Sequence, residues 1–397
     1  MGAIEKPLFG VISDLHAFHD ELKAIRQDIH AHPETAFEEE RTSELVAKKL
    51  TEWGYEVHRG LGKTGVVGVL KNGTSARKIG LRADMDALHI HERNGFAHKS
   101  VNEGKMHACG HDGHTTMLLG AAKHLALQRN FDGTVHVIFQ PAEENEGGAR
   151  VMIEEGLFER FPCDTVWGMH NWPELPPGQF CVMPGPMMAS FDIFEITLTG
   201  RGAHAAMPQN GRDPIIAASA LVQALQTIVS RNTHPVEAGV VSVTQVHGGD
   251  TWNVIPNEVV IRGTTRAFKP HVQDLIQRRM AEICEGIGAT YDCTVKCWYD
   301  RRYPPTINTR DEALVSESVL VDLVGAANVH TDLTPTMGAE DFAFMLQEKP
   351  GCYIWIGNGA GELGCLLHNP GYDFNDAILP LGASYWVRLT ERLLPAQ

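Results

Sequence analysis

Between Tyr55 and His170 the chain alternates strand-like apolar runs with amphipathic stretches, and several of the runs end in charged or metal-competent residues. Segments 55–59, 65–70, 78–83, 134–139 and 165–169 read as strands. Helical spacing of apolar residues predicts helices from Ser13 or Asp14 to about Ala31, over 38–53, over 115–128 and near 148–155. Strand alternating with helix predicts an α/β fold, a mostly parallel sheet flanked by helices. In such sheets ligands bind in the crevice beyond the carboxyl ends of the strands. Asp84 and Asp86 follow one predicted strand, Glu143 and Glu144 another and His170 a third, so the fold gathers them on one rim.

The 397 residues are too many for one comfortable core, and the pattern breaks where two domains would meet. Leu175–Pro186 (LPPGQFCVMPGP) has the Pro and Gly content of a hinge. Beyond it come a strand at 191–198, a helix capped by Asp213 with Pro214 first, and strands at 240–246 and 258–268. A helix at 272–286 and a strand at 292–298 complete the order β-α-β-β-α-β, a ferredoxin-like α+β arrangement. The expected organisation is therefore one domain from 1–185 and 300–397, interrupted by an inserted domain over 186–299.

A net charge of −15 argues against a nucleic-acid partner. No apolar run reaches the roughly 18 residues that a membrane helix needs. The first residues show no basic stretch followed by an apolar one, and the eight cysteines lack the rhythm of a disulfide scaffold. Both point to a cytoplasmic protein with reduced thiols.

Chemistry concentrates in Met106–His114 (MHACGHDGH). Thiolate and imidazole suit zinc, manganese, cobalt or nickel, and Gly110 lets the backbone turn so that Cys109 and His111 can face one centre. A polar loop in a chain with 20 histidines is the plainer reading. Adjacent residues at a strand end point apart, so one of Glu143 and Glu144 can bind a metal while the other accepts a proton from water. Acidic residues also favour helix starts for purely local reasons. Asp84 and Asp86 could bind a metal, orient a ligand or simply make a turn. His170 ends an apolar strand, as a core histidine would. His368 lies in a Gly-rich loop, where site residues are common. His204, Asn253 and Arg266, in the inserted domain, are donors able to hold an oxyanion or a carboxylate.

These features, taken with RQDIHAHPE (26–34), GLRADMDAL (80–88), FQPAEENEGG (139–148), WGMHNW (167–172), GRGAHAAMP (200–208), MGAEDF (337–342) and LHNP (367–370), resemble the aminoacylase and hippurate-hydrolase family of co-catalytic metallopeptidases. The resemblance covers nearly the whole chain, in family order. It implies a two-metal catalytic domain with an inserted lid and dimerisation domain, acting on a small N-acyl amino acid. It assigns Cys109, His111, Glu144, His170 and His368 as ligands of two divalent ions, zinc or manganese first. Glu143 becomes the general base and acid, Asp86 an orienting carboxylate, and His204, Asn253 and Arg266 substrate-contacting groups, with His204 reaching a partner's site in a homodimer or a larger assembly of dimers. A dipeptidase or an N-carbamoyl-amino-acid hydrolase would share this core. One departure is visible: the family continues DAL with Pro, whereas this chain has His89, with His91 nearby, which suggests an altered pocket wall or an extra ligand.

Overall fold

The computed structural model describes residues 10–361 and 364–396. The N-terminal stretch on which the expected cytoplasmic location partly rests lies almost entirely outside them. The chain divides into two compact units. The first comprises residues up to Gly185, Ile307–Thr334 and those from Asp341 on; the second is Pro186–Thr306 with Pro335–Glu340. Among the described residues no helix is long and apolar enough to cross a membrane.

An eight-stranded sheet organises the first unit, in the order Glu56–Leu61, Gly65–Asn72, Gly133–Gln140, Lys78–Asp84, Thr165–Trp172, Gly351–Gly357, Phe180–Cys181, Val329–His330. Its central strands, from Gly133–Gln140 to Gly351–Gly357, are parallel, and the first two strands add antiparallel pairs at one edge. Gly133–Gln140 and Gly351–Gly357 are buried along their whole length, as strands covered on both faces must be. Period-two alternation assigns the faces. Val135, Val137, Phe139, Cys352, Ile354 and Ile356 enter the main core with the helices His111–Gln128 and Leu379–Leu393. On the other side Tyr353 meets Phe342, at the start of the helix Phe342–Glu348, with ring centroids 5.4 Å apart.

The second unit has the expected β-α-β-β-α-β order. Its four antiparallel strands run Gly239–His247, Glu258–Ala267, Phe191–Thr199, Thr294–Tyr303 across the sheet. Phe191–Thr199 alternates buried and half-buried residues, so one face carries the core: Phe194, Ile196 and Leu198 pack with Leu221 and Leu225 of one helix and Ile276 and Met280 of the other. Asp213 caps the first helix by accepting the Ile215 N–H at 2.9 Å, with Pro214 in the first turn.

Several elements differ from the sequence expectation. The N-terminal helix is broken at Phe18 into Ser13–Ala17 and His19–Ala31. The Pro-rich segment is not only a hinge: Phe180 and Cys181 are fully buried and pair with Val329–His330 and Trp355–Ile356. Two strand residues between prolines and glycines are too few to show a period. The last strand of the second unit runs on to Tyr303, because its pairing with Phe191–Thr199 continues until Pro304 and Pro305 remove the donors.

Candidate active site

Gly110 sets the geometry. Its φ is +101°, and a β-carbon there would lie 2.1 Å from Asn171 Oδ1, so only glycine fits. The helix starts immediately after it, at His111, whereas the sequence pattern suggests about Thr115. Gly113, ahead of the helix expected over 115–128, sits inside it, packed against Phe374. Cys109 therefore stands just ahead of the helix and His111 on its first residue. His170 is not past its strand but within it, since Thr165–Trp172 continues two residues further and pairs His170 with Trp355.

The five expected ligands come together. Donor atoms of Cys109, His111 and His170 lie within 4.8 Å of one another, and so do those of Cys109, Glu144 and His368. Cys109 is common to both groups, so the residues form two overlapping clusters that share a thiol. Cys109 Sγ is 3.3 Å from His170 Nε2, and His368 Nε2 is 3.1 Å from Glu144 Oε1. His368 sits on an exposed loop at φ +61°, but its N–H donates to the Ala108 carbonyl at 2.7 Å and ties the loop to the ligand stretch.

The residues fit a metal. His111 Nδ1 donates to the Asp86 carbonyl at 2.8 Å, while the buried Nε2 makes no hydrogen bond. With Nδ1 held this way, Nε2 is the nitrogen left to face a cation, which would take the place of its proton. Burial, together with the Glu144, Glu143 and Asp84 carboxylates, pushes the Cys109 thiol well above its ordinary pKa. Burial opposes charge on His111, yet Asp84 and Asp86 lift it to about 10. Crowded, buried acids of this kind are relieved by a cation. A third group, Asp84 with His111 and His114, is also close enough to hold an ion. Its Asp84 oxygens are already engaged, one by His114 Nδ1 at 2.6 Å and the other by Arg82 at 2.8 Å, so it reads as a structural network.

Glu143 is 6 % exposed and Glu144 half-buried. Beneath them, Asp86 accepts the Glu143 N–H at 3.0 Å and the Glu144 N–H at 2.9 Å with its two oxygens. One buried carboxylate thus faces His111 and fixes the backbone of both glutamates. The Asp341 N–H also donates to Glu143 Oε1, at 3.3 Å.

The other expected residues lie in the second unit. His204 and Asn253 share a small ribbon, in which Val254 pairs with His204 and the Ala205 N–H donates to the Asn253 carbonyl. His204 is exposed, and its Nδ1 accepts the Ala206 N–H at 3.1 Å, which places the ring proton on Nε2 as a donor. Arg266 is on the four-stranded sheet, stacked over Phe191 at 4.6 Å. Its Nε donates to the Met337 carbonyl, and Nη1 donates to Thr264 Oγ1 and the Thr265 carbonyl. A carboxylate would therefore meet Nη2 and not an open two-nitrogen fork. His89 and His91 are exposed and belong to none of the candidate metal groups among the described residues.

Four buried residues around the site escape sequence reasoning. Arg82 bonds Asp84, Asp341 and Gln140 at 2.8–2.9 Å. Glu39, fully buried, accepts the Ala142 N–H at 2.9 Å. The usable signals are Arg82 itself, a charge set between apolar residues in mid-strand, and the family-like stretches that contain Gln140 and Asp341; nothing local marks Glu39.

The sequence signature described as peptidase family M20/M25/M40 matches residues 80–392. The chain is 44% identical over 384 residues to a hippurate hydrolase of Campylobacter jejuni, covering 97% of this chain and 99% of that one. It is 38% identical to an N-acetylcysteine deacetylase of Bacillus subtilis, over 94% of this chain and 97% of the relative. A solved Bacillus subtilis protein, described as a dinuclear metal binding peptidase from the M20 family, superposes with a TM-score of 0.83 at 34% identity, over 94% of this chain and 97% of that one. With the signature spanning most of the chain, and two relatives above 30% identity over nearly full length, the protein belongs to peptidase family M20/M25/M40.

Proposed function

We propose that this chain is a metal-dependent amidohydrolase that cleaves the amide bond of N-acyl amino acids, hippurate-like or N-acetylated, into a carboxylic acid and a free amino acid. The observation that carries this reading is the pair of donor clusters sharing Cys109 beside the buried Glu143, in a chain 44% identical to a hippurate hydrolase. Cys109, His111, Glu144, His170 and His368 would hold two divalent cations; zinc or manganese suits them, and cobalt or nickel fits the same donors. When bound, such ions polarise an acyl carbonyl and acidify water.

The chain's own residues supply the rest. Glu143 takes a proton from the attacking water and passes it to the leaving amine nitrogen. Its backbone is pinned by Asp86 and its Oε1 faces the Asp341 N–H, so little reorganisation is needed as charge shifts. His204 offers Nε2–H to the carbonyl oxygen as it gains charge. Asn253 contacts the substrate beside it, and Arg266 holds the amino acid carboxylate through Nη2.

A homodimer, or a larger assembly built from dimers, forms through the second unit. What supports this is an exposed apolar set there, Ile215, Ile216, Val246, Trp252 and Val254, between 44% and 101% exposed, a pattern that marks interfaces. The test of the function is a substrate panel on protein loaded separately with each metal. Hippurate and N-acetyl amino acids should be cleaved. Turnover confined to dipeptides or N-carbamoyl amino acids would overturn the substrate class.

A further inference from the structure

Three consecutive backbone N–H groups lead into the catalytic glutamates, and each ends on a buried carboxylate. Asp86 takes those of Glu143 and Glu144. The first, that of Ala142, donates to Glu39 Oε1 at 2.9 Å. Glu39 comes from a distant part of the chain, the loop ahead of the helix Glu40–Glu52, and its side chain is fully buried. The same Oε1 accepts the Phe37 N–H at 3.1 Å, and Oε2 accepts the Thr64 hydroxyl at 2.6 Å.

Ala142 needs the help. Its φ is +55°, a left-handed conformation that a β-carbon disfavours. It follows directly on the strand Gly133–Gln140 and Pro141, and it forms the turn that leads into Glu143. Its carbonyl is engaged too, accepting the Gly148 N–H at 2.9 Å. A strained residue beside a functional group persists only where its surroundings hold it. The carboxylate that receives its N–H is costly to keep buried: burial, and then the charge of Asp86, raise Glu39 to about 7.

We propose that Glu39 is a positioning residue for the general base, holding the left-handed turn at Ala142 that aims Glu143. The proposal rests on the assignment of Glu143 as that base. Without Glu39 the Ala142 N–H has no acceptor, the turn relaxes, and Glu143 drifts from the proton it must move. Displacement of a catalytic group by about 1 Å typically costs up to roughly 100-fold in rate.

The experiment is a mutant cycle on the full, metal-loaded chain, with kcat, KM, metal content and melting temperature measured on the best substrate of the panel. Glu39→Ala should lower kcat about 10–100-fold and leave KM and metal content near wild type. Glu39→Gln keeps an oxygen that can accept both N–H groups, so it should restore kcat to within about threefold. In the Glu143→Gln background Glu39→Ala should add little further loss, because residues that act as one unit are not additive. If Glu39→Ala does not fold, Glu39→Asp, one methylene shorter, replaces it with the same expectation. Three results would overturn the proposal while leaving Glu143 in place: unchanged kcat in Glu39→Ala, Glu39→Gln as impaired as Glu39→Ala, or the full Glu39→Ala loss repeated in the Glu143→Gln background. Wild-type turnover in Glu143→Gln alone would instead remove the base assignment, and the positioning role with it.

Discussion

Arg82→Met is the perturbation whose cost follows most directly from the structure. The guanidinium is 1% exposed and bonds three buried partners: Asp84 Oδ2 at 2.8 Å, Asp341 Oδ1 at 2.9 Å and Gln140 Oε1 at 2.8 Å. At an effective dielectric constant near 20, each ion pair carries roughly 6 kcal/mol of gross Coulomb attraction. Desolvation of three charges offsets most of that, so the gross figure is not the expected loss. Removing only the cation is different, because Asp84 and Asp341 stay buried and each loses its ion pair with Arg82, Asp84 keeping His114 and Asp341 keeping Gln140. Changes of that kind cost about 3–5 kcal/mol. For a domain of this size that is roughly 6–20 °C in melting temperature. Scanning calorimetry on metal-free wild type and Arg82→Met reads it without interference from ligand binding. The same variant should lower kcat, because Asp341 presents its N–H to Glu143. A melting temperature within about 2 °C of wild type, corresponding to under about 1 kcal/mol, would refute the reasoning: the two aspartates would then not depend on Arg82 for their charge.

Three further outcomes are expected. Glu143→Gln should keep its metals and lose roughly 10²–10⁴ in turnover, while Glu144→Gln should lose metal; metal analysis showing the reverse would exchange the two roles. Buried His30, between Asp112 at 2.9 Å and Glu92 at 3.2 Å, has its pKa opposed by burial but lifted by those carboxylates to about 9. Its charged form therefore contributes stability in full below about pH 6.5, on the order of 3 kcal/mol, and that contribution is lost as pH rises through about 9; melting temperatures of wild type and His30→Gln should converge over that range, and parallel profiles would contradict it. Subunits of His204→Ala and Glu143→Ala, mixed and exchanged, should recover roughly a quarter of wild-type activity if His204 serves the partner's site; hybrids seen by native mass spectrometry with background activity would place it in its own chain's site.

The strands were legible because alternation and burial follow from side-chain period alone, and the cap at Asp213 because it is local chemistry. The candidate donors were legible because Cys109, His111, Glu144, His170 and His368 occur in stretches that resemble a known family, and the structure brings their donor atoms together. The network that holds them was not. Arg82 and Asp341 are 259 residues apart, and only the fold brings the mid-strand charge of the one against the other. Glu39 looks like part of an acidic helix start, and only the fold shows that it turns inward to meet Ala142. The helix start at His111 was hidden for a related reason. Gly110 and Gly113 look alike in sequence, but one stops the chain at φ +101° and the other makes room for Phe374 inside the helix.

The most direct test of the account is metal dependence measured together with stoichiometry. Protein stripped by a chelator should not hydrolyse hippurate, and activity should return as zinc or manganese is added, reaching its plateau at two ions per chain. Full hydrolysis by rigorously metal-free protein, or a plateau at one ion per chain, would contradict it.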